Sequence, residues 1–308
     1  MLERRKIPHT DLEVSLLCLG TMTFGTPVGE TKGIEIVHRA LDLGLNFIDT
    51  ANMYEGYSRY IGSSGGTAEE ILGKGLRGRR EEAIVATKVG MKIGPDAEDE
   101  GLSRKHVLRE CDRSLQRLGT DWIDLYYMHK PDPEAPLEES IGTFVELIRV
   151  GKVRHWGLSN FDAVEVEQVL EACAREGWPR PVVHQPPFSL LKRDIESDLL
   201  PLCRREEIGV VPFQVLQGGL LSGKYQIGVA PPEGSRGAEK PEWLPLLEDE
   251  SVMGELQRLA AQAEERGMDL FEYTLRTTVA VAGITSIILG IKRSEQIEMA
   301  VRVFGGEG

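Results

Sequence analysis

Residues 44–54 read G-L-N-F-I-D-T-A-N-M-Y. Gly44 is a helix stop signal, and Leu45, Phe47 and Ile48 after it form a short apolar run of the kind a buried strand carries. Asp49 stands where that strand ends, and Tyr54 follows in the loop. An acid and a phenol at the C-terminal end of a strand lie where α/β enzymes place their chemistry. By itself the stretch also reads as a turn-capping acid and a rim aromatic. The rest of the chain decides between the two.

Upstream, Ile7 to Val14 flank a Thr10-Asp11 turn and predict a small hairpin. Leu16 to Leu19 predicts a first buried strand closed by Gly20, and Thr31 is placed to cap a helix running to Leu43. Downstream, Thr67 offers a capping box with Glu70 for a helix over 68–76. Strands follow over 83–87 (then Lys88), 123–128 (then His129), 153–158 (then Ser159 and Asn160), 182–184 (then Gln185), 208–213 and 286–289. The helices between them start after Ser103, at Leu137, after Asp162 and at Ile195, the last running to Glu207. Further helices cover 251–266, 271–280 and 294–304. Strand and helix thus alternate about eight times without a break in composition, as a parallel β/α series does.

Eight such units in one domain spanning 1–308 predict a (β/α)8 TIM barrel with a short N-terminal hairpin and long loops at the C-terminal face. An open doubly wound sheet should carry G-x-G-x-x-G after its first strand, and Gly20-Thr21-Met22 stands there instead. The Gly- and Pro-rich loop 214–250 is long enough to be expected over the barrel mouth.

The 36 Lys and Arg against 49 Asp and Glu give a net charge of -13, with no broad basic footprint for nucleic acid or an anionic membrane. Four widely spaced cysteines without C-x-x-C, no apolar leader and no membrane-length apolar run predict a reduced, cytoplasmic protein. H-x-H and H-E-x-x-H are absent, so no metal site is expected.

A barrel brings Asp49, Tyr54, Lys88, His129, Ser159, Asn160 and Gln185 to one end. A phenol with a pKa of about 10 is a reluctant acid near neutrality, and a nearby ammonium favours its ionised form. Asp49 can pair with Lys88, and His129 can donate a hydrogen bond to an incoming carbonyl oxygen. The set makes a proton donor for an oxygen gaining negative charge. It lacks a nucleophile with its base and G-x-S-x-G, so the electrons must come from a bound hydride carrier.

The segments N-F-I-D-T-A-N-M-Y, I-V-A-T-K-V-G, L-Y-Y-M-H-K-P-D-P and G-K-V-R-H-W-G-L-S-N-F resemble, in order, the signatures of the aldo-keto reductase superfamily. The resemblance runs from about Leu16 to Phe304. It implies a (β/α)8 barrel that reduces carbonyls with NADPH held across its mouth. Tyr54 would be the proton donor, with Asp49, Lys88 and His129 completing a tetrad. Ser159, Asn160 and Gln185 would hold the nicotinamide carboxamide, and Phe213 would stack on its ring. Gln214, Gln217, Gly218, Gly219, Leu220, Ser222 and Lys224 would clasp the pyrophosphate, where glycines allow backbone N–H groups close approach. Gly290, Ile291, Lys292, Arg293 and Gln296 would hold the adenosine 2'-phosphate.

Three departures from the family pattern stand out. Gln214 replaces the usual Ser, Met299-Ala300 replace the usual Glu-Asn, and the stretch after Tyr54 is longer. That stretch, Glu55 to Gly66, has four glycines and three serines and predicts a mobile loop. It would wall the substrate pocket, with Tyr57 or Tyr60 on the substrate and Arg59 available for an anionic one. The partner implied is a small-molecule carbonyl, with no nucleic acid or membrane and with homo-oligomerisation left open. A catalytically slow, cofactor-binding regulatory subunit on the same barrel is the second reading, because superfamily members serve as potassium-channel subunits. A Schiff-base aldolase using Lys88 is a third, and pairing with Asp49 argues against it.

Overall fold

The protein's structure, a computed structural model, describes residues 2–226 and 228–305. Strands β1 (Arg4–Lys6) and β2 (Glu13–Ser15) form an antiparallel hairpin with Arg4 opposite Ser15. Eight strands then lie parallel: β3 (Leu17–Gly20), β4 (Phe47–Asp49), β5 (Ile84–Val89), β6 (Ile123–Met128), β7 (Val153–Ser159), β8 (Val183–Gln185), β9 (Gly209–Val210) and β10 (Ile287–Gly290). Each pairs with the next from β3 to β9, and β10 pairs back onto β3. The ring closes where Thr285 N donates to Val210 O at 2.8 Å and Ile288 N to Pro212 O at 3.0 Å. The expected (β/α)8 barrel is therefore the fold.

Helices return the chain between strands: α1 (Glu30–Asp42), α2 (Thr67–Gly75), α3 (Arg104–Leu118), α4 (Leu137–Arg149), α5 (Ala163–Glu176) and α6 (Leu199–Arg205). After β9 come the short α7 (Arg236–Glu239), α8 (Glu250–Glu265) and α9 (Leu270–Val279), and α10 (Ser294–Val303) follows β10. Ser103 and Asp162 cap α3 and α5 as their sequences predict. Thr31 and Thr67 do not cap. Gly29 and Gly66 stand at those positions, and no capping box forms at Thr67. Gly66 has φ 90, and this left-handed turn is what demands glycine there. The continuous helix expected over 195–207 is split. Asp198 caps a new start by accepting from Leu199 N at 2.6 Å, leaving one turn of 3-10 helix at 194–196.

Strand β9 is shorter than the expected 208–213 because Pro186, Pro187 and Pro212 supply no N–H to the ladder. Phe213 still pairs with Pro187 as an isolated bridge. One apolar cluster fills the barrel, with Cys18, Phe47, Ala86, Leu125, Tyr127 and Val183 meeting Ile7 and Leu12 of the hairpin. The hairpin plugs the end where strands begin: Arg5 Nη1 donates to Val279 O and Ile284 O, just ahead of β10. With that end closed and filled, the opposite end is the open one. The loop 214–250 is no loose excursion. Leu220, Leu221, Tyr225 and Leu244 pack with Leu256 and Leu259 of α8 in a satellite core.

Candidate active site

Asp49 ends β4, Lys88 lies one residue from the end of β5, His129 follows β6 and Gln185 ends β8, so all four stand at the open end. Lys88 is completely buried. Its ammonium donates to Asp49 Oδ1 at 2.6 Å, Thr50 O at 2.8 Å and Tyr54 OH at 3.3 Å. An ammonium has three protons, and three acceptors take them. Burial pulls the Lys88 pKa down, but the Asp49 carboxylate at 2.6 Å opposes it and the net direction is up. Lys88 is thus a charged ammonium, which removes the free amine that a Schiff base requires.

Tyr54 accepts from Lys88, because an ammonium can only donate. The phenol's own proton is therefore directed elsewhere. The expected lowering of the Tyr54 pKa does not prevail: burial raises it, the charge of Asp49 adds to that, and Lys88 only partly opposes the rise. Tyr54 is thus a protonated phenol rather than a phenolate. His129 meets it edge-on, with ring centroids 6.0 Å apart and planes at 79°. Burial drives the His129 pKa well below its ordinary value, and the charges of Lys88, Arg59 and Lys130 add to the effect, so the imidazole is neutral. Its Nδ1 is buried without a hydrogen-bond partner.

Ser159, Asn160 and Gln185 adjoin this group. Ser159 Oγ donates to Gln185 O at 2.9 Å, and Asn160 Nδ2 donates to His129 O at 2.8 Å. Gln185 Nε2 is committed to Asp49 Oδ2 at 2.8 Å, a role its sequence position did not suggest. The amide oxygens of Asn160 and Gln185 remain acceptors for the N–H groups of a carboxamide. Phe213 is half-buried against the cluster that fills the barrel.

Further along the mouth, backbone φ is positive at Gln214 (62), Gln217 (45), Gly218 (66) and Gly219 (99). Successive turns of this kind make a concave backbone suited to anions. A Cβ on Gly219 would lie 2.6 Å from Lys224 Nζ. Ser222 Oγ donates to Gly219 O at 2.7 Å, and Gln217 Oε1 is buried without a partner. Leu220 packs into the satellite core, so only its backbone faces this turn's task. Burial lowers the Lys224 pKa, and the neighbouring charges of Lys292, Arg236 and Arg293 lower it further. Four cations thus crowd one place, with Glu239 against them. Such a set fits a polyphosphate. Lys292 pairs with Glu239 and donates to Gly234 O at 3.2 Å. Gln296 Oε1 accepts from Lys292 N at 2.8 Å and Arg293 N at 3.1 Å. Gly290 lies in the β10–β3 ladder, and Ile291 is buried with its carbonyl accepting from Thr23 Oγ1 at 2.9 Å. Arg236 and Glu239 were not predicted. They bound the short α7 within the 214–250 segment, where no spacing rule marks a side chain.

The 55–66 segment is laced down rather than loose. Gly94 N donates to Ser63 O at 2.8 Å, and Tyr57 N to Thr26 O at 2.6 Å. Tyr57 is buried edge-on to Trp243, ring centroids 5.2 Å apart, with Lys292 Nζ 4.9 Å over its ring. Tyr60 and Ile61 turn to solvent, 69% and 89% exposed.

The profile of the Aldo/keto reductase family matches residues 16–305. The chain is 30% identical over 305 residues to a probable voltage-gated potassium channel subunit beta of Arabidopsis thaliana, covering 96% of this chain and 89% of that one. It is 32% identical over 277 residues to the L-glyceraldehyde 3-phosphate reductase of Escherichia coli K12, covering 87% and 77% respectively. Among solved structures it resembles a glycerol dehydrogenase from Gluconobacter oxydans, with a TM-score of 0.81 and 27% identity over 98% of this chain and 90% of that one.

Proposed function

The chain belongs to the aldo/keto reductase family, and from that membership we propose that it reduces aldehydes or ketones to alcohols with NADPH, Tyr54 supplying the proton. The observation that carries this reading is the Lys88 ammonium. It holds Asp49 at 2.6 Å and the Tyr54 hydroxyl at 3.3 Å, which leaves the phenol proton free to leave toward substrate.

A bound reduced nicotinamide supplies the hydride equivalent that no side chain here can supply. Ser159, Asn160, Gln185 and Phe213 would hold its ring, and Lys224, Lys292, Arg293 and the 214–222 turn its phosphates. Tyr54 and neutral His129 then face the carbonyl oxygen, His129 as hydrogen-bond donor and Tyr54 as acid. As that oxygen gains charge, the phenol proton moves to it, and the Lys88 ammonium stabilises the phenolate left behind. Asp49 keeps Lys88 charged throughout. The four cysteines are free and buried, which supports a reducing compartment such as the cytoplasm.

A second reading, a slow cofactor-binding regulatory subunit, rests on the similarity to channel beta subunits. The assembled tetrad favours turnover. A panel of aldehydes and ketones with NADPH and with NADH, followed at the nicotinamide absorbance, separates the two. Turnover with NADPH preferred supports the enzyme. Tight NADPH binding with no turnover on any carbonyl supports the subunit.

A further inference from the structure

The guanidinium of Arg59 donates from Nη1 to Met53 O at 3.0 Å and to Ser63 Oγ at 3.3 Å, and from Nη2 to Lys92 O. Met53 directly precedes Tyr54, so this cation is clamped within one residue of the proposed acid. It bridges the loops that follow β4 and β5. Its charge is felt at His129, whose neutral form it favours together with Lys88 and Lys130. Arg59 is half-buried, and burial lowers its pKa with only the field of Glu55 opposing. Among the described residues it forms no ion pair. The cations nearby are otherwise engaged: Lys130 pairs with Glu100 at 2.6 Å and Lys88 with Asp49.

A guanidinium has five N–H groups. Three are taken by the acceptors above, which leaves Nε–H and one Nη2–H. Those are the two nitrogens that an oxyanion engages side-on. A half-buried cation with no ion-pair contact and only the more distant Glu55 carboxylate against its charge is stabilised when a ligand brings an anion to it. The fixed position argues against a merely solvated charge, since three acceptors hold the fork in place before any ligand arrives.

We propose that Arg59 reads an oxyanion on the substrate, so that the site takes carbonyl compounds bearing a carboxylate or phosphate ahead of neutral ones of similar size. The inference rests on the carbonyl-reductase reading for its reaction, though not for its binding. Tyr57 is engaged by Trp243 and Lys292 and Tyr60 is exposed to solvent, which leaves Arg59 as the charged side chain of this loop held beside Tyr54.

Two matched pairs test it: 4-carboxybenzaldehyde with benzaldehyde, and glycolaldehyde phosphate with glycolaldehyde. Wild type should show kcat/KM at least about tenfold higher for the anionic member of one pair, the size of one charge-assisted hydrogen bond. The pair with the larger ratio identifies carboxylate or phosphate. Arg59→Met should abolish that ratio, chiefly through the KM of the anionic member. Arg59→Lys, which keeps the charge and loses the fork, should fall between. Ratios near one in wild type, or equal losses for both members in Arg59→Met, overturn the proposal. The wild-type ratios decide even if Arg59→Met does not fold. Calorimetric binding of the alcohol products of the same pairs gives a readout apart from turnover. If no aldehyde is reduced but the anionic alcohols bind preferentially and lose that preference in Arg59→Met, the anion site stands and the reductase reading fails. No preference in binding either overturns the anion site.

Discussion

Gln185 and Asp49, 136 residues apart in sequence, meet where Gln185 Nε2 donates to Asp49 Oδ2 at 2.8 Å. Lys88 occupies the other oxygen at 2.6 Å. The carboxylate is therefore fixed from both sides, and it fixes the ammonium that touches Tyr54. Gln185 acts on the proposed acid through two other residues as well as lying beside the proposed carboxamide site.

Asp49→Asn should be costly in two ways. Losing one partner of a buried pair destabilises by about 3–5 kcal/mol, because the other charge stays buried. Urea unfolding near neutral pH measures this. The alkaline side gives a second check. Lys88 has a folded pKa raised above the ordinary 10.5, so the stabilisation is full below that value and is lost as pH rises through the folded one. Wild type should lose stability in that window, whereas Asp49→Asn, in which burial alone pulls the Lys88 pKa down, should gain stability as pH rises toward 10.5.

The acid side has the opposite sign. His184 is buried, donates from Nε2 to Phe161 O at 3.1 Å and leaves Nδ1 unpartnered; burial pushes its pKa from 6.5 down to about 4. A depressed histidine contributes stability that is full above about 6.5 and is lost as pH falls toward about 4. Removing the titration with His184→Asn should flatten the loss between these values by roughly 3 kcal/mol, apart from a constant offset. A wild-type slope unchanged by the substitution would show that His184 is not a source.

Much of this was legible in sequence because strand exits in a barrel share one face. Asp49, Lys88, His129, Ser159, Asn160 and Gln185 could be gathered from their positions after apolar runs alone. What the sequence concealed depends on side-chain direction and on backbone outside the repeating units. The split at Asp198 and the shortened β9 follow from one cap and three prolines that a periodicity reading passes over. The packing of Tyr57 on Trp243 and Lys292 was not legible, because nothing in E-G-Y-S-R-Y says which aromatic turns inward. The Lys292–Glu239 pair joins a strand exit to the short α7, and no spacing rule connects the two. The net rise of the Tyr54 pKa follows from how the folded chain packs around a partly buried phenol, which the pattern of residues does not carry.

Lys292 should hold the 2'-phosphate only after sharing or releasing Glu239. Glu239→Gln is therefore expected to tighten NADPH by about two- to fivefold, the worth of one partly exposed pair, and to leave NADH nearly unchanged. Fluorescence titration of both cofactors checks it. A parallel change for both cofactors would show that Glu239 acts on the loop and not on the phosphate.

Tyr54 decides the rest. With its folded pKa raised above the ordinary 10.0, the phenol is fully protonated through the neutral range, and its loss should be felt at every pH there. The direct measurement is kcat of Tyr54→Phe with NADPH and the best carbonyl of the panel, alongside the NADPH dissociation constant. A fall of about 10²–10⁴ in kcat with cofactor affinity within about twofold is the expected result, the usual contribution of a positioned acid. Turnover within a few-fold of wild type would remove Tyr54 from the chemistry and contradict the proton-donor assignment.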